Sequence, residues 1–217
     1  MTLLSNEDRQ QVQTMFGELP RPVRLLFFRQ DLDCPTCSDT QAILDVLSGL
    51  TDLLTVEVVD AAQDPERAEL HRIDKFPAIV VLAADEPMDV GVRYYGIPSG
   101  YEFSSLIEDV LMMGEGDSGL AAATRQALAE LTEPVHIQVF VTPTCPYCPR
   151  AVRLAHQMAL ESPLVTADMV EAIEFSELSQ RYGVMGVPRT VINDYIHIEG
   201  AVPEAMILPK VLEAARG

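Results

Sequence analysis

Cys34, Cys37, Cys145 and Cys148 are the only cysteines in the 217-residue chain, and they form two CxxC pairs, CPTC and CPYC. Two chemistries use that spacing. Four thiolates can close a tetrahedral zinc site, or each pair can cycle between dithiol and disulfide. Paired zinc ligands usually lie near one another in a small fold that depends on the metal, whereas 107 residues separate Cys37 from Cys145. A purely structural disulfide is also a weak reading, because so short a loop removes little entropy from the unfolded chain. The redox reading accounts for the placement. Each pair ends an apolar, strand-like run and opens a helical pattern, so its first cysteine stands at the positive end of a helix dipole, where a thiolate is favoured. The second cysteine, three positions on, falls in the first helical turn, close enough to attack a mixed disulfide. No metal ligand set is expected, and His71, His136, His156 and His197 are scattered without ligand spacing.

The elements that must hold these pairs repeat. Cys34 to Cys145 is 111 positions, and so is Cys37 to Cys148. The segments HRIDKFPAIVVL and YGVMGVPRTVIN fall at the same offset and set Pro77 against Pro188. A looser match pairs Gly96 with Gly200 once the second copy is shortened by seven residues. Self-similarity over that distance means one structural plan used twice.

Each copy alternates helix and strand signals. In the first, Ser5 caps a helix that runs toward Pro20, VRLLFFR is a buried strand, and SDTQAILDVLSGL has an apolar helical face of Ile43, Leu44, Leu47 and Leu50. LLTVEVVD follows as a second buried strand, DPERAELHR as a short helix opened by Asp64 and Pro65, AIVVLA and GVRYYG as two more strands, and SGYEFSSLIEDVLMM as a last helix. The second copy places helices at 118–131, 146–160, 174–181 and 203–215, with strands at 135–141, near 164–168, 189–193 and 195–199. The order αβαβαββα, twice, is an α/β fold of two tandem units, each a mixed sheet flanked by helices. MGEGDSG, rich in glycine and acidic residues, marks the boundary between units at 1–115 and 116–217.

Composition narrows the function classes. A net charge of -18, from 15 basic against 33 acidic residues, argues against nucleic acid and anionic membranes, which need clustered positive charge. No apolar run reaches the length of a membrane span. The opening MTLLSNEDRQ has no basic region followed by an apolar core, so a cytoplasmic location is expected.

Both CxxC motifs, KFPAI with Pro77, YGVMGVPRT with Pro188, and RYYGIPSGYEFSSLIEDVL together carry a resemblance. Each half resembles a thioredoxin-fold unit, and the pair is similar to the protein disulfide oxidoreductases, glutaredoxin-like proteins of archaea and thermophilic bacteria. The resemblance covers nearly the whole chain. It implies cis bonds before Pro77 and Pro188 beside the cysteines, with the backbone of Phe76 and Val187 pairing with substrate. It also implies catalysis by Cys34, Cys37, Cys145 and Cys148 on protein disulfides, with no bound cofactor and with electrons from a flavin-dependent thioredoxin reductase. The chain departs from thioredoxins six residues before each first cysteine, where Phe28 and Val139 replace a buried aspartate. It departs from glutaredoxins at Arg189 and around Gly200 and Ala201, where a glutathione site would lie.

Two other functions compete with the enzyme. One is a chaperone-like protein that binds unfolded chains, and the other is an electron donor to a peroxidase, for which a single intact CxxC would be expected. The flanking charges also set the two pairs apart. Asp31, Asp33 and Asp39 surround Cys34, while no carboxylate occurs from Val135 to Leu160 and Arg150 and Arg153 follow Cys148. Cys145 is therefore expected to be the more acidic thiol.

Overall fold

The computed structural model describes residues 4–30, 34–85 and 88–217. Asp31 and Asp33 lie outside the described residues. The first half runs α1 (Asn6–Phe16), β1 (Val23–Arg29), α2 (Cys37–Ser48), β2 (Leu54–Asp60), α3 (Pro65–Leu70), β3 (Ala78–Ala83), β4 (Val92–Tyr95) and α4 (Glu102–Glu115). The second runs α5 (Ala122–Ala129), β5 (Val135–Val141), α6 (Cys148–Glu161), β6 (Val165–Glu171), α7 (Ser176–Arg181), β7 (Arg189–Ile192), β8 (Ile196–Glu199) and α8 (Glu204–Ala214). The expected order αβαβαββα therefore appears twice.

Among the described residues, eight strands form one sheet, in the order β2-β1-β3-β4-β6-β5-β7-β8. Within each half the leading strand pairs parallel with the next strand in sequence and antiparallel with the one after it. The halves join where β4 pairs parallel with β6, from Val92 opposite Ala167 to Tyr95 opposite Val170. A main core on one face takes residues from β1, β5, α1, α2, α4, α6 and α8 and runs without a break across the junction. A smaller core under α3 and α7 covers the other face. The unbroken apolar run of β3 suits a strand covered on both sides. Among the described residues, no helix is long and apolar enough to cross a membrane.

Several boundaries differ from the sequence reading. β2, expected to be buried, is an edge strand and half-exposed, with Val58 turned to solvent. Its apolar composition is that of a strand, but only its position in the sheet decides whether both faces are covered. α1 stops at Phe16 rather than running toward Pro20, although Ser5 Oγ accepts the Asp8 N–H as expected of a cap. The helix expected over 118–131 is confined to Ala122–Ala129, because Gly119 takes a left-handed backbone and no helix can pass through it. β6 runs on to Glu171, since β5 pairs with it along its whole length and β4 along its far side.

Candidate redox site

Both CxxC pairs are disulfides, Cys34 to Cys37 and Cys145 to Cys148, with Cα atoms 5.4 and 5.5 Å apart. α2 begins at Cys37 and α6 at Cys148, so each first cysteine lies in the turn just before a helix. That turn is closed by the N–H of Cys37 on the Cys34 carbonyl (3.3 Å) and of Cys148 on the Cys145 carbonyl (3.4 Å). Pro149 is tolerated for the same reason. With the helix starting at Cys148, it is the second helical residue, whose N–H would have no partner within the helix. Cys34 is half-buried, Cys37 and Cys145 are nearly covered, and Cys148 is fully buried.

The bonds Phe76-Pro77 and Val187-Pro188 are both cis. Strand register places them. Ala78, next after Pro77, lies opposite Phe28, and Arg189, next after Pro188, lies opposite Phe140. Each proline therefore sits at the end of the sheet from which its own CxxC loop departs. Phe76 and Val187 are half-buried there. Phe28 and Val139, which replace the thioredoxin aspartate, are fully buried core residues.

A buried carboxyl does occur near the second site, at a position the sequence reading did not single out. Glu102, in the first turn of α4, is 1% exposed and accepts a hydrogen bond from Ser105 Oγ at 2.8 Å. Burial pushes its pKa up to about 7. The neighbouring Tyr101 donates its N–H to the Pro143 carbonyl, 2.9 Å away and two residues before Cys145. The same helix supplies Asp109, which accepts from the Tyr94 hydroxyl and lies 2.5 Å from His156 Nδ1 on α6. His156 Nε2 is 3.2 Å from the Arg93 carbonyl. Burial opposes a charge on His156, but the Asp109 carboxylate outweighs it and raises the His156 pKa. Both residues are 1% exposed in their side chains. A sequence signal for this pair exists, since Asp109 interrupts the apolar face of α4 beside Leu106 and Val110, and His156 falls on the stripe of Val152, Ala155 and Ala159.

Charge around the two sites differs from the linear reading. Arg153 is paired with Glu108 of α4 at 2.9 Å, so part of the positive character expected near Cys145 is cancelled by a residue from the other half. A carboxyl also approaches the first site from afar. Thr36, between Cys34 and Cys37, donates its hydroxyl to Glu174, in the turn between β6 and α7.

Two thioredoxin-like halves, each with a CxxC pair opening a helix opposite a cis-proline, define a thiol–disulfide oxidoreductase of tandem thioredoxin fold. Residues 135–213 match the family model described as a thioredoxin domain. A protein disulfide oxidoreductase from Aeropyrum pernix K1 is 32% identical and superimposes with a TM-score of 0.92 over 98% of this chain and 94% of that one. The chain belongs to the protein disulfide oxidoreductase family. The N-terminal domain of the alkyl hydroperoxide reductase AhpF from Enterococcus faecalis is 29% identical, with a TM-score of 0.88 over 96% of this chain and 99% of that one. Among curated proteins, an NADH dehydrogenase of Bacillus subtilis is 25% identical over 81% of this chain, which spans 32% of that protein. The alkyl hydroperoxide reductase AhpF of Staphylococcus aureus is 30% identical over 66% of this chain, which spans 27% of it. The chain thus spans about a third or less of the curated relatives it matches.

Proposed function

We propose that the protein reduces, oxidises or isomerises disulfides in other proteins through two centres, Cys34/Cys37 in a unit of residues 1–115 and Cys145/Cys148 in a unit of 116–217. The observation that carries the reading is the shared placement of each CxxC turn and a cis-proline at one end of the sheet. In the reducing direction the thiolate of the first cysteine attacks a substrate disulfide, forming a mixed disulfide and releasing one substrate thiolate. The second cysteine then attacks the first, its proton leaves to solvent, and the second substrate thiolate departs. Two electrons pass to the substrate and one internal disulfide forms. The backbone of Phe76 and Val187 aligns the substrate strand, and no bound cofactor is needed.

The second centre suits a polypeptide partner. Tyr147, Ile173 and Met185 are 70, 71 and 96% exposed in the loops at its end of the sheet. Their counterparts 111 positions earlier are Thr36, Ala62 and Asp74, so the first centre has a more polar rim. Electrons would reach the protein from a flavin-dependent thioredoxin reductase. The similarity to the alkyl hydroperoxide reductase AhpF supports a second reading, donation of those electrons to a peroxidase. Insulin reduction by wild type, by each single-cysteine variant and by a variant lacking all four cysteines tests the enzyme reading. Loss of turnover with the cysteines is expected. Retained suppression of aggregation with no turnover in wild type would favour a binding protein.

A further inference from the structure

The turn after β6 is where the two halves treat their redox sites differently. Its residue Glu174 accepts a hydrogen bond from Thr36 Oγ1, inside CPTC and 138 positions away in sequence, and another from the Ile97 N–H at 2.7 Å. Ile97 belongs to the loop between β4 and α4 of the first half. The first half's own residue at the same place in the repeat is Gln63, 111 positions earlier, and it turns instead to Asp60, 3.0 Å away. The second site's counterpart of Thr36 is Tyr147, which is 70% exposed. A carboxyl is thus brought from the second half onto the first CxxC turn, and Gln63 does not do the same for the second.

The surroundings leave that charge uncompensated at short range. Among the described residues no salt bridge includes Glu174. Behind it Glu171, 3% exposed, accepts the Glu174 N–H at 2.6 Å. Burial, together with the charge of Glu174, raises the Glu171 pKa. The cleft beside Glu174 is lined by Lys75, Arg181, Asp74 and Glu177, two cations against two more carboxyls. Asp39, exposed in the first turn of α2, adds a further negative group on the cysteine's own helix. A negative charge near a thiol opposes its ionisation, and a half-buried one such as Glu174 is screened less by salt than an exposed one.

We propose that Glu174 is a positioning and tuning residue for the first redox site: it holds the CPTC turn through Thr36 and keeps the Cys34 thiol less acidic than Cys145. Less thiolate in the reduced form means a less stable dithiol at neutral pH. The exchange of the Cys34/Cys37 disulfide with two glutathione thiols, giving the dithiol and one oxidised glutathione, then lies further toward the protein disulfide. This inference rests on the redox reading above and assigns the two sites unequal poise, the first being the better reductant.

The test uses the full chain. Glu174→Gln keeps an acceptor for Ile97 and a polar partner for Thr36 while removing the charge, and Glu174→Ala removes both. In the fully reduced proteins, the pH dependence of iodoacetamide labelling at Cys34 and Cys145 is read separately by mass spectrometry. The glutathione equilibrium of each pair is read in the same way. Cys34 is expected to label at lower pH in both variants. Its pair should shift toward dithiol by several-fold, up to about tenfold, the equivalent of about 30 mV for a two-electron couple. Cys145 in the same molecule is expected to stay put and reports that the fold is intact. An unchanged Cys34, or equal shifts at both cysteines, overturns the proposal. The labelling profile does not need turnover, so a wild type inert toward insulin and glutathione but with Cys34 responding to Glu174 would overturn the redox reading while sparing the electrostatic one.

Discussion

Glu102 shows how burial can dominate the state of a carboxyl beside a redox turn. Burial is the largest influence on it, the Ser105 hydroxyl and the His156 charge act against burial, and Asp109 acts with it. The folded pKa of about 7 stands above the ordinary value of 4.5, so folding favours the protonated form. Its contribution to stability is therefore fully present below about pH 4.5 and is lost as pH rises through about 7. The size is on the order of 3 kcal/mol, at about 1.36 kcal/mol for each pKa unit. Urea unfolding of the oxidised protein from pH 4 to 8 should show wild type losing stability over that window relative to Glu102→Gln, whose profile should be flatter. Parallel profiles would show that Glu102 is solvated. At this scale the cysteines and prolines were legible in the sequence because their spacing is local and repeated. Glu102, Glu108 and Glu174 were not, since each acts on a site in the other half of the chain or through burial that only the packed structure creates.

The loop that enters α4 is the element that ties the first half to the second redox turn. Gly100 has φ +61°, and a Cβ there would run into the Pro143 carbonyl oxygen that accepts the Tyr101 N–H. Gly183 has nearly the same backbone, φ +60°, but a Cβ there meets nothing within 4 Å. Alanine at Gly183 should cost only the backbone term, about 1–3 kcal/mol for a residue held in that region. Gly100→Ala should cost more, because Pro143 must move as well, and it should disturb disulfide exchange at Cys145 while Gly183→Ala leaves it nearer to wild type. Thermal unfolding and insulin reduction by both variants check this, and equal costs would mean that the loop simply moves aside. Element order was legible because strands such as AIVVLA are short β-branched apolar runs, helices such as SDTQAILDVLSGL carry apolar residues at helical spacing, and the repeat allows each half to check the other. Exposure of β2 was not, because it depends on which strand lies at the sheet's edge.

At the scale of the whole molecule, the division at 115/116 proposed for the two units crosses a shared sheet and a shared core. β4 and β6 join by backbone hydrogen bonds, α4 packs on α6, and the Asp109–His156 contact lies fully buried between those helices. No run of residues signals this, because β4 and β6 are separated in sequence by helices and a strand, and a strand edge carries no mark of its eventual neighbour. Independent units linked by a tether would unfold separately, whereas a continuous sheet with a buried charged contact at the junction couples them. Removing one member of a buried pair leaves the other charge without its partner, a loss of about 3–5 kcal/mol. His156→Ala is therefore expected to lower the stability of the oxidised protein by an amount of that order. Because burial and Asp109 together leave the His156 pKa raised, its share of stability is present at low pH and falls as pH rises through the folded value. Wild type should unfold in urea as a single transition, with the hydrogen-exchange protection of β1 and β5 lost at the same denaturant concentration. His156→Ala should shift both strands together if the junction couples them. Protection lost from β5 at lower urea while β1 is unmoved would show that the second unit stands alone and that the shared sheet is only an edge contact.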